Sequence, residues 1–497
     1  MMTSSPSGGW KRESKKVTMK RSVKVTCQAV IFLLLATAGP VAGEGLDDVL
    51  SGFDEITAEE EKPSGSSMDD VLSGFDDPEE KQSDVKETVH RIIPEWLELG
   101  GRISLSAAVN FAHDAPEDGA ADFRGLSMLR TTVALYSEAS FGGWQLKVSG
   151  HGFYDAAYAL QDRGAFSDDL LDLYEDEIEF DDVYLIGSLG AKVDIKTGRQ
   201  VVVWGKSDNV RVTDILNPLD NRVPGLVDVK NRRLPVTMTK LDYYVGDWNL
   251  SGIVLHEVRF DKNPVFNSDF FPGTAPLPPE DTPDVSLDNQ QYALALNGIF
   301  SGWDLSLYGA WVFDARAHLV RDATGFLYRE HSRISMAGFT TNIAAGNWLL
   351  KGEAAWFDGL EYSNLPDDEL SRLDVMAGIE YTGFSETLLT LEIVNRHLFD
   401  FDDRLEGFPD LAQEDSLQTV ATLVRDFAND TVQLKIILSV FGAHGEDGAF
   451  ERFQLDYDLT DNVNVTGGVM LYQSADTGVF SEIGDNDRLF LELTYEF

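Results

Sequence analysis

Four turns in the sequence each place a tryptophan at the start of an alternating segment. They read Gly142-Gly143-Trp144-Gln145-Leu146-Lys147, Gly246-Asp247-Trp248-Asn249-Leu250-Ser251, Ser301-Gly302-Trp303-Asp304-Leu305-Ser306 and Gly346-Asn347-Trp348-Leu349-Leu350-Lys351. Successive side chains of a β-strand point to opposite faces, so each Trp shares a face with the Leu two residues later. A soluble sandwich would not repeat one interfacial aromatic at its turns. Tryptophan lies where the lipid tails end in transmembrane barrels, so the pattern predicts a Gram-negative outer-membrane β-barrel.

Pairs of tryptophans on single strands indicate the thickness of the apolar band. Trp303 and Trp311 lie eight residues apart, as do Trp348 and Trp356. With a rise of about 3.3 Å per residue and a tilt near ~40°, such a separation climbs roughly 20 Å, close to the ~25 Å apolar band of these barrels. We therefore predict two aromatic girdles, formed by Trp144, Trp248, Trp303, Trp311, Trp348 and Trp356.

Residues 97–497 predict an all-β, antiparallel transmembrane barrel of about 18 strands. Upward strands are predicted at 99–112, 144–157, 191–204, 248–260, 303–315, 348–359, 387–399, 431–442 and 462–473. Downward strands are predicted at 125–140, 177–188, 236–245, 289–300, 331–344, 372–382, 416–427, 450–459 and 488–497. The short turns then share one end of the barrel and the long loops 158–176, 205–235, 261–288 and 400–415 share the other. An even count leaves both barrel termini on the periplasmic side, and about sixteen strands is the alternative.

The last predicted strand shows both faces of the wall. Its lipid-facing set is predicted to be Leu489, Leu491, Leu493, Tyr495 and Phe497, and its inward set Arg488, Glu492, Thr494 and Glu496. Tyr495 and the terminal Phe497 resemble the C-terminal signal that the barrel-assembly machinery recognises, so we take them as the candidate assembly signal. A polar inner face in a barrel of this size leaves room for water. This predicts a pore and not a lumen packed with hydrophobic side chains.

The first 43 residues have the features of an export signal peptide. A basic stretch precedes the apolar run 29–38, and Val41-Ala42-Gly43 fits a small-residue cleavage site. The run is too short to span a bilayer as a helix. The only cysteine, Cys27, lies within this segment. The mature chain is therefore expected to form no disulfide and no thiolate metal site.

Residues 44–90 are predicted to form an acidic, disordered periplasmic segment. The octapeptide Asp47-Asp48-Val49-Leu50-Ser51-Gly52-Phe53-Asp54 recurs unchanged as Asp69-Asp70-Val71-Leu72-Ser73-Gly74-Phe75-Asp76. Two weak sites on one flexible chain raise apparent affinity, and short amphipathic helices can occupy an apolar groove of a periplasmic partner. The candidate partner-binding residues are Val49, Leu50, Phe53, Val71, Leu72 and Phe75. A functionless duplication of a solvated linker is the alternative.

The charge balance is strongly acidic. The whole chain carries −44, and after loss of the signal it keeps 33 of its 40 Lys and Arg and 83 of its 84 Asp and Glu. Phosphate recognition needs the opposite sign, so nucleic-acid binding is excluded. Solvated acidic loops explain the charge in the simplest way. A lumen or mouth that enriches cations is the second explanation.

Loop 205–235 differs from the rest of the chain. It carries six Lys and Arg against four Asp, together with three prolines and many apolar residues. This composition predicts an ordered loop folded into the barrel, where basic groups facing acidic wall groups would form a constriction. Strict alternation would place Arg199 in lipid, so a bulge at Gly198 is expected to return it to the lumen. The selectivity candidates are Arg199, Arg211, Asp214, Arg232 and Arg233, and an external loop is the alternative.

The segment Gly198-Arg199-Gln200-Val201-Val202-Val203-Trp204-Gly205, with the later Asn217-Pro218, Pro224-Gly225 and Leu234-Pro235-Val236, resembles an uncharacterised family of large proteobacterial outer-membrane barrel proteins. The resemblance covers most of the barrel. Members of that family carry signal peptides and are often encoded beside inner-membrane RND-type exporters. The resemblance implies transport of hydrophobic small molecules or lipids with such an inner-membrane partner, and it brings no catalytic residues.

No motif in the sequence indicates catalysis, and we expect no enzymatic activity and no cofactor. His256, His397 and His444 lie near the outward ends of predicted strands and are expected to bond neighbouring loops. The acidic patches offer hard oxygen ligands for weak Ca²⁺ or Mg²⁺ binding, but none has the spacing of a dedicated loop site, and plain solvation explains them better. These patches are Asp168-Asp169, Glu175-Asp176-Glu177, Asp367-Asp368-Glu369 and Asp402-Asp403.

Two classes of function remain from the sequence. The first is a transport protein in contact with outer-membrane lipid and lipopolysaccharide, either a channel in an export route or a diffusion porin. The second is a non-transporting surface or scaffold barrel. A water-filled lumen with a folded-in loop favours transport, whereas a lumen filled by apolar side chains favours the scaffold.

Overall fold

The computed structural model describes residues 94–113, 115–116, 121–273, 275–475, 480–481 and 483–497, with the backbone alone for residue 367. The predicted signal peptide, the segment 44–90 and its duplicated octapeptides lie outside the described residues. The described strands are β1 Leu97–Asn110, β2 Gly125–Phe141, β3 Trp144–Asp155, β4 Asp176–Ser188, β5 Val193–Gln200, β6 Val236–Val245, β7 Trp248–Leu255, β8 Gln291–Phe300, β9 Trp303–Phe313, β10 His318–Arg321, β11 Leu327–Glu330, β12 Arg333–Ala345, β13 Trp348–Tyr362, β14 Leu365–Phe384, β15 Thr387–Leu398, β16 Asp415–Phe427, β17 Val432–Phe441, β18 Ala449–Thr460, β19 Val463–Gln473 and β20 Arg488–Glu496.

Eighteen of these strands form one closed antiparallel barrel. Each barrel strand pairs with the next along the chain, and β9 pairs with β12 across the small β10–β11 hairpin. The ring closes where β1 pairs with β20, from Arg102↔Glu496 to Asn110↔Arg488. Closure gives every barrel strand a neighbour on both sides, as a lipid environment requires. The predicted count of 18 is confirmed, and the sixteen-strand alternative is wrong.

The two ends of the barrel differ as predicted. At one end, called the turn end, strands join through short turns such as Gly142-Gly143, whose φ values of 55° and 86° suit a hairpin turn with two left-handed residues. Both barrel termini lie at this end. The opposite end, called the loop end, carries the long connections 156–175, 201–235, 256–290 and 399–414.

Helices are few and short in the described residues: α1 Ala157–Leu160, α2 Asp168–Tyr174 and α3 Val229–Arg232, with 3-10 turns at Arg163–Ala165 and Asp403–Glu406. The helix α2 begins at Ser167, whose hydroxyl accepts a hydrogen bond from the Leu170 amide at 3.3 Å. Its buried face packs against Tyr158 and Phe166 at the loop end. No helix among the described residues has the length and apolar character needed to span a bilayer.

The outer surface is apolar because the alternation holds on strand after strand. On β20, Leu489, Leu491, Leu493 and Tyr495 are exposed at the barrel surface, whereas Arg488 is buried inside. On β9, Trp303, Leu307 and Trp311 are exposed in the same way. The predicted lipid-facing and inward sets are therefore confirmed for the closing strand.

Two predicted strands end earlier than expected. The upward strand predicted at 191–204 ends at Gln200, and the one predicted at 248–260 ends at Leu255. The expected bulge at Gly198 is wrong, since β5 pairs without a shift with both β4 and β6 up to its last residues. Gly198 has φ of +124°, and a Cβ there would lie 2.2 Å from the Val183 carbonyl oxygen. Only glycine fits this close approach.

Candidate functional site

Residues 201–235, called the crossing loop, connect β5 to β6 and lie inside the barrel. The loop contacts β9, β13 and β15 with its first half and β17, β18 and β19 with its second half. In a closed ring of 18 strands, β15 stands almost opposite β5, so these contacts require the loop to cross the lumen. The structure therefore places the loop inside the barrel and not at its outer surface.

The loop leaves the wall because side chains replace the strand ladder after Gln200. The Asn217 carboxamide accepts a hydrogen bond from the Val202 amide at 2.8 Å and donates to the carbonyls of Gln200 and Leu234. Asp214 accepts from the Trp204 amide at 3.3 Å. Asn217 is fully buried, so these bonds form in a site without competing water. The backbone of the departing chain is thereby satisfied within the loop itself.

Two buried glutamates on the far wall hold the first half of the crossing loop. Glu353 on β13 accepts from the amides of Lys206 and Ser207, and from the amide and hydroxyl of Thr213. Its side chain is almost fully buried. A carboxylate that accepts several backbone N–H groups makes charge-assisted hydrogen bonds, which are the strong ones. Gly205 is needed here because a Cβ would lie 2.9 Å from the Glu353 carboxylate at a φ of +88°.

Glu392 on β15 extends this attachment. Its carboxylate accepts from the amides of Asp208 and Asn209 at 3.1 and 3.3 Å and from the Asn209 side chain at 3.0 Å. Lys351 on β13 binds Asp208 at 2.7 Å and lies 3.9 Å from Glu392. The tip of the loop is thus fixed by wall acids that bind backbone amides and by a wall cation that binds a loop acid.

An apolar cluster fills the lumen between the loop and one sector of the wall. Val202, Trp204, Val210, Val212 and Leu216 of the loop are buried in it. Trp204 stacks on Tyr308 of β9 with ring centroids 4.6 Å apart. The wall contributes inward residues from β6 to β17, including Met238, Ile253, Met336, Phe357, Met376 and Val394. The expected polar lumen is therefore wrong for this sector, because the loop brings its own apolar face into the barrel.

Wall cations hold the second half of the loop. Arg452 on β18 donates to the carbonyls of Gly225 and Leu226 and pairs with Asp228, which also pairs with Lys435 on β17. Burial acts to raise the pKa of Asp228, but these two cations outweigh it and hold that pKa below its ordinary value. Asp228 therefore stays charged and paired at neutral pH.

The five predicted selectivity residues fall into three places. Arg211 and Arg233 both contact Asp214, at 3.4 and 2.7 Å, inside the loop. Arg232 donates to the Asn221 side chain at 3.2 Å, and Arg199 lies on the wall. The expected constriction of loop cations facing wall acids is wrong in the main, because the wall acids bind loop amides and the loop cations bind the loop. Two loop cations do meet wall acids: Lys206 binds Asp304 at 2.8 Å, and Arg222 binds Glu177 at 3.2 Å.

The half of the lumen nearer the turn end is polar, and its inward-facing side chains are accessible to solvent. Tyr136 alternates with the outward Leu135 and faces inward, yet 41% of it is exposed. Tyr244 faces inward near the mouth and is 43% exposed. Polar inward pairs line this half, including Glu138 with Gln145, Lys147 with Asp182, Asn249 with Asn297 and Asp426 with Gln433. The expected polar, water-accessible interior is present here.

The predicted girdle residues all lie at the outer surface. Trp303, Trp311, Trp348 and Trp356 are exposed, and Trp144 and Trp248 are partly exposed at the turn end. Trp348 packs on Tyr381 and Trp303 on Phe300, so neighbouring strands share the belt. Tyr495 and Phe497 are exposed at the same end. Their roles in membrane anchoring and assembly remain predictions.

Two of the singled-out histidines and one residue of the acidic patches make ordinary contacts. His256 bonds the Thr239 hydroxyl at 2.9 Å and His397 lies 3.0 Å from Asp415. Glu175 pairs with Arg163, which lowers the pKa of that carboxyl. The described residues contain no group of three or more His, Cys, Asp or Glu suited to a metal ion. Weak divalent binding at the acidic loops stays a prediction.

Comparisons with known proteins agree with the geometry. The structure is similar to OccAB3 of Acinetobacter baumannii, with 12% identity, a TM-score of 0.50 and coverage of 81% of this chain and 99% of that one. It is also similar to OpdK of Pseudomonas aeruginosa, crystallised with vanillate, with 12% identity, a TM-score of 0.47 and coverage of 81% and 98%. A third similar structure is a BenF-like porin of Pseudomonas fluorescens Pf-5, with 12% identity, a TM-score of 0.47 and coverage of 81% of this chain and 98% of that one. No curated protein matches the sequence.

The family comparison covers most of the chain. Together with the exposed apolar belt, the shared fold places the barrel in the outer membrane of a Gram-negative bacterium. Residues 77–497 match a family described as "Protein of unknown function (DUF1302)". The resemblance drawn from the sequence to an uncharacterised family is therefore confirmed, and the chain belongs to the DUF1302 family.

Proposed function

We propose that the protein is an outer-membrane transport channel whose width is set by the crossing loop. The observation that carries the proposal is the position of this loop, which crosses the lumen and is fixed to both sides by buried charged groups. A loop that only decorated a membrane anchor would not need attachment to opposite walls. Fixing such a loop limits the cross-section and selects what passes.

The charge of the chain favours cations in this channel. The chain carries −44, and most of its acidic excess lies in the barrel part. A negatively charged mouth raises the local concentration of cations and lowers that of anions. Small solutes that cross by diffusion would therefore be cationic or neutral.

Removing the crossing loop tests the channel. Gln200 and Val236 are paired neighbours in the β5–β6 ladder, so a short Asn-Gly turn can replace residues 201–235 without stretching the wall. We expect the single-channel conductance of the shortened protein in planar bilayers to rise several-fold, since the crossing loop no longer narrows the lumen. Equal conductance before and after the deletion would contradict the proposal. Replacing the exposed residues 322–325 at the tip of the β10–β11 hairpin by Gly-Ser provides the matched control.

A scaffold function has one observation in its favour. The apolar cluster around Trp204 and Met336 closes part of the lumen with tightly packed side chains. If this packing extends across the lumen, the barrel anchors loops and conducts nothing. Absence of conductance in both the full protein and the loop-deleted protein would favour the scaffold over the channel.

The cargo and the partner form the finer part of the proposal. The family resemblance supports hydrophobic small molecules or lipids as cargo and an inner-membrane RND-type exporter as partner. In this scheme the duplicated octapeptides bind the periplasmic part of that partner through Phe53 and Phe75.

A capture experiment tests the octapeptides. Residues 44–90, used as bait on periplasmic and inner-membrane extracts, should retain the partner. Phe53→Ala or Phe75→Ala alone should weaken capture, and the double substitution should abolish it, because avidity needs both copies. Ser51→Ala with Ser73→Ala is the matched control. If the double Phe variant captures the same proteins as the parent segment, the octapeptides do not bind this partner.

A further inference from the structure

The barrel wall has a seam on the side where the crossing loop departs. The β4–β5 ladder contains only the pairs from Ser188↔Asp194 to Val183↔Arg199, whereas the β3–β4 ladder continues to Asp176. Within the described residues, no backbone hydrogen bond joins residues 176–182 to the chain segments on the β5 side. Backbone pairing seals a barrel against lipid, so this stretch of wall needs another closure.

Charged side chains provide that closure. Glu179 on β4 binds Arg199 at 2.7 Å and Lys262 at 2.6 Å, and it also pairs with Arg259. Lys262 binds Glu177 at 2.8 Å as well. The cations lie on the other side of the gap: Arg199 belongs to β5, and Arg259 and Lys262 belong to the segment after β7. Each ion pair with β4 therefore reaches across the gap.

The bridge extends further toward the loop end. Arg222 of the crossing loop binds Glu177 at 3.2 Å and Asp220 at 2.6 Å. Glu257 binds Arg199 at 2.7 Å and accepts from the Thr237 amide at 2.9 Å. Arg199 therefore lies in the seam, between acids of both edges, and this explains why its outward position on β5 does not expose its charge to lipid.

The outer side of the seam is apolar and uncovered. Ile178 and Phe180 face outward on β4 and are 93% and 66% exposed. Their neighbours on β3 are Gly152 and Gly150, which have no side chain to cover them. An uncovered apolar surface therefore borders the seam on its membrane side.

The crossing loop presents an exposed apolar residue shortly after it leaves β5. Val202 and Trp204 are buried in the apolar cluster, but Val203 between them is 59% exposed. Val203 alternates with these two residues and so faces away from the cluster. The loop thus presents an exposed apolar side chain within the barrel, close to where β5 ends at Gln200.

We infer that this seam is a lateral passage through which a single-chain amphiphile moves between the lumen and the outer leaflet of the membrane. The tail would pass between Ile178 outside and Val203 inside, and the polar head would exchange contacts with the ion pairs. Side-chain pairs can part and re-form without breaking a strand ladder, whereas a wall held by backbone hydrogen bonds cannot open in this way. The inference rests on the proposed channel and names a route and a cargo class for it.

A reversible bridge across the seam tests the passage. In a Cys27→Ser background, Glu179→Cys and Lys262→Cys are joined by a short cleavable bis-maleimide in the full-length protein reconstituted in liposomes. The control variant carries His397→Cys and Asp415→Cys, an ion pair between strands that are already joined by a ladder. The probe is diazirine-bearing palmitic acid, and mass spectrometry measures its photolabelling of the crossing loop near Val203. Ion conductance of the same preparations is recorded in parallel.

We expect the bridge in the seam to lower labelling of the crossing loop by about tenfold, equal to about 1.4 kcal/mol in occupancy. Conductance and labelling at Ile178 should stay the same. Cleaving the reagent should restore the label, which excludes misfolding as its cause, and the control bridge should have no effect. Labelling that persists in the bridged protein, or that never occurs in a conducting protein, would overturn the lateral passage and leave the channel standing. Absence of conductance in every variant would overturn the channel itself.

Discussion

At β13–β15 the strand ladder continues to Arg372↔Leu398, and the buried Glu353 and Glu392 attach the crossing loop. At β4–β5 the ladder stops at Val183, and Glu177 and Glu179 attach the edge of the wall to its neighbour. The same residue type therefore holds a lumenal loop on one side and closes the wall on the other. The two sides differ in backbone pairing. Where backbone hydrogen bonds already close the wall, the carboxylates are available to bind the loop. Charge removal on the two sides should consequently have different effects.

The largest effect is expected at the complete wall. Glu353→Gln combined with Glu392→Gln removes the negative charge from seven hydrogen bonds to the loop. Bonds to charged groups are each worth about 1.5–3 kcal/mol, so the loop should detach and conductance should rise several-fold while the barrel stays folded. Single-channel recording and heat-modifiable gel migration measure the two properties.

The matched control for this pair is Glu361→Gln. Glu361 lies on the same strand, β13, and contacts His318 at the rim at 3.2 Å. It should leave conductance unchanged. A rise in the conductance of the control, or an unchanged conductance in the double variant, would mean that the wall glutamates do not fix the loop.

The next effect concerns the incomplete wall. Gly198→Ala places a Cβ 2.2 Å from the Val183 carbonyl at a φ of +124°. Strain in such a conformation costs about 1–3 kcal/mol, and the short β4–β5 ladder has little redundancy to offset it. The barrel should unfold at a lower temperature, as measured by gel migration after graded heating.

Gly252→Ala is the control on β7, two strands away from β5, where a Cβ would meet nothing within 4 Å. It should not change the unfolding temperature. If both variants unfold at the same temperature, or if Gly198→Ala unfolds at the temperature of the parent protein, the seam is no weaker than the rest of the wall.

The smallest effect is expected at the second attachment of the loop. Arg452→Met removes the pair with Asp228 and the bonds to the carbonyls of Gly225 and Leu226, but Lys435 still pairs with Asp228. Removal of one partner from a buried pair usually costs several kcal/mol, and the remaining cation reduces that cost. Conductance should become noisier with a small increase in its mean. Arg425→Met on β16 is the control, and equal noise in both variants would assign no gating role to Arg452.

The strand pattern was predictable from the sequence because the membrane imposes it. Every outward position meets the same apolar medium, so a period of two appears on each strand and the turns punctuate it. The two ends of the barrel and the faces of β20 follow from this pattern alone, whereas the structure decided between 18 and sixteen strands. Trp303 and Trp348 mark the turn end for the same reason.

The interior could not be predicted in the same way. Glu353 binds Lys206 across 147 positions of the chain, and Arg452 binds Gly225 across 227. Such contacts produce no periodic pattern in the sequence near either residue. The sequence therefore indicated an unusual loop, but we predicted loop cations opposite wall acids where Glu353 and Glu392 bind loop amides. Arg199 shows the limit most directly, since its outward position would expose a charge to lipid on an ordinary strand.

The alternating pattern was enough to indicate a closed barrel of about 18 strands with an apolar outer surface, because lipid contact constrains each strand separately. The folded chain was needed to show where the crossing loop lies, which wall groups hold it and where the ladder is interrupted. These features depend on charges and amides brought together by closure of the ring, and on the need to satisfy each of them where water is scarce.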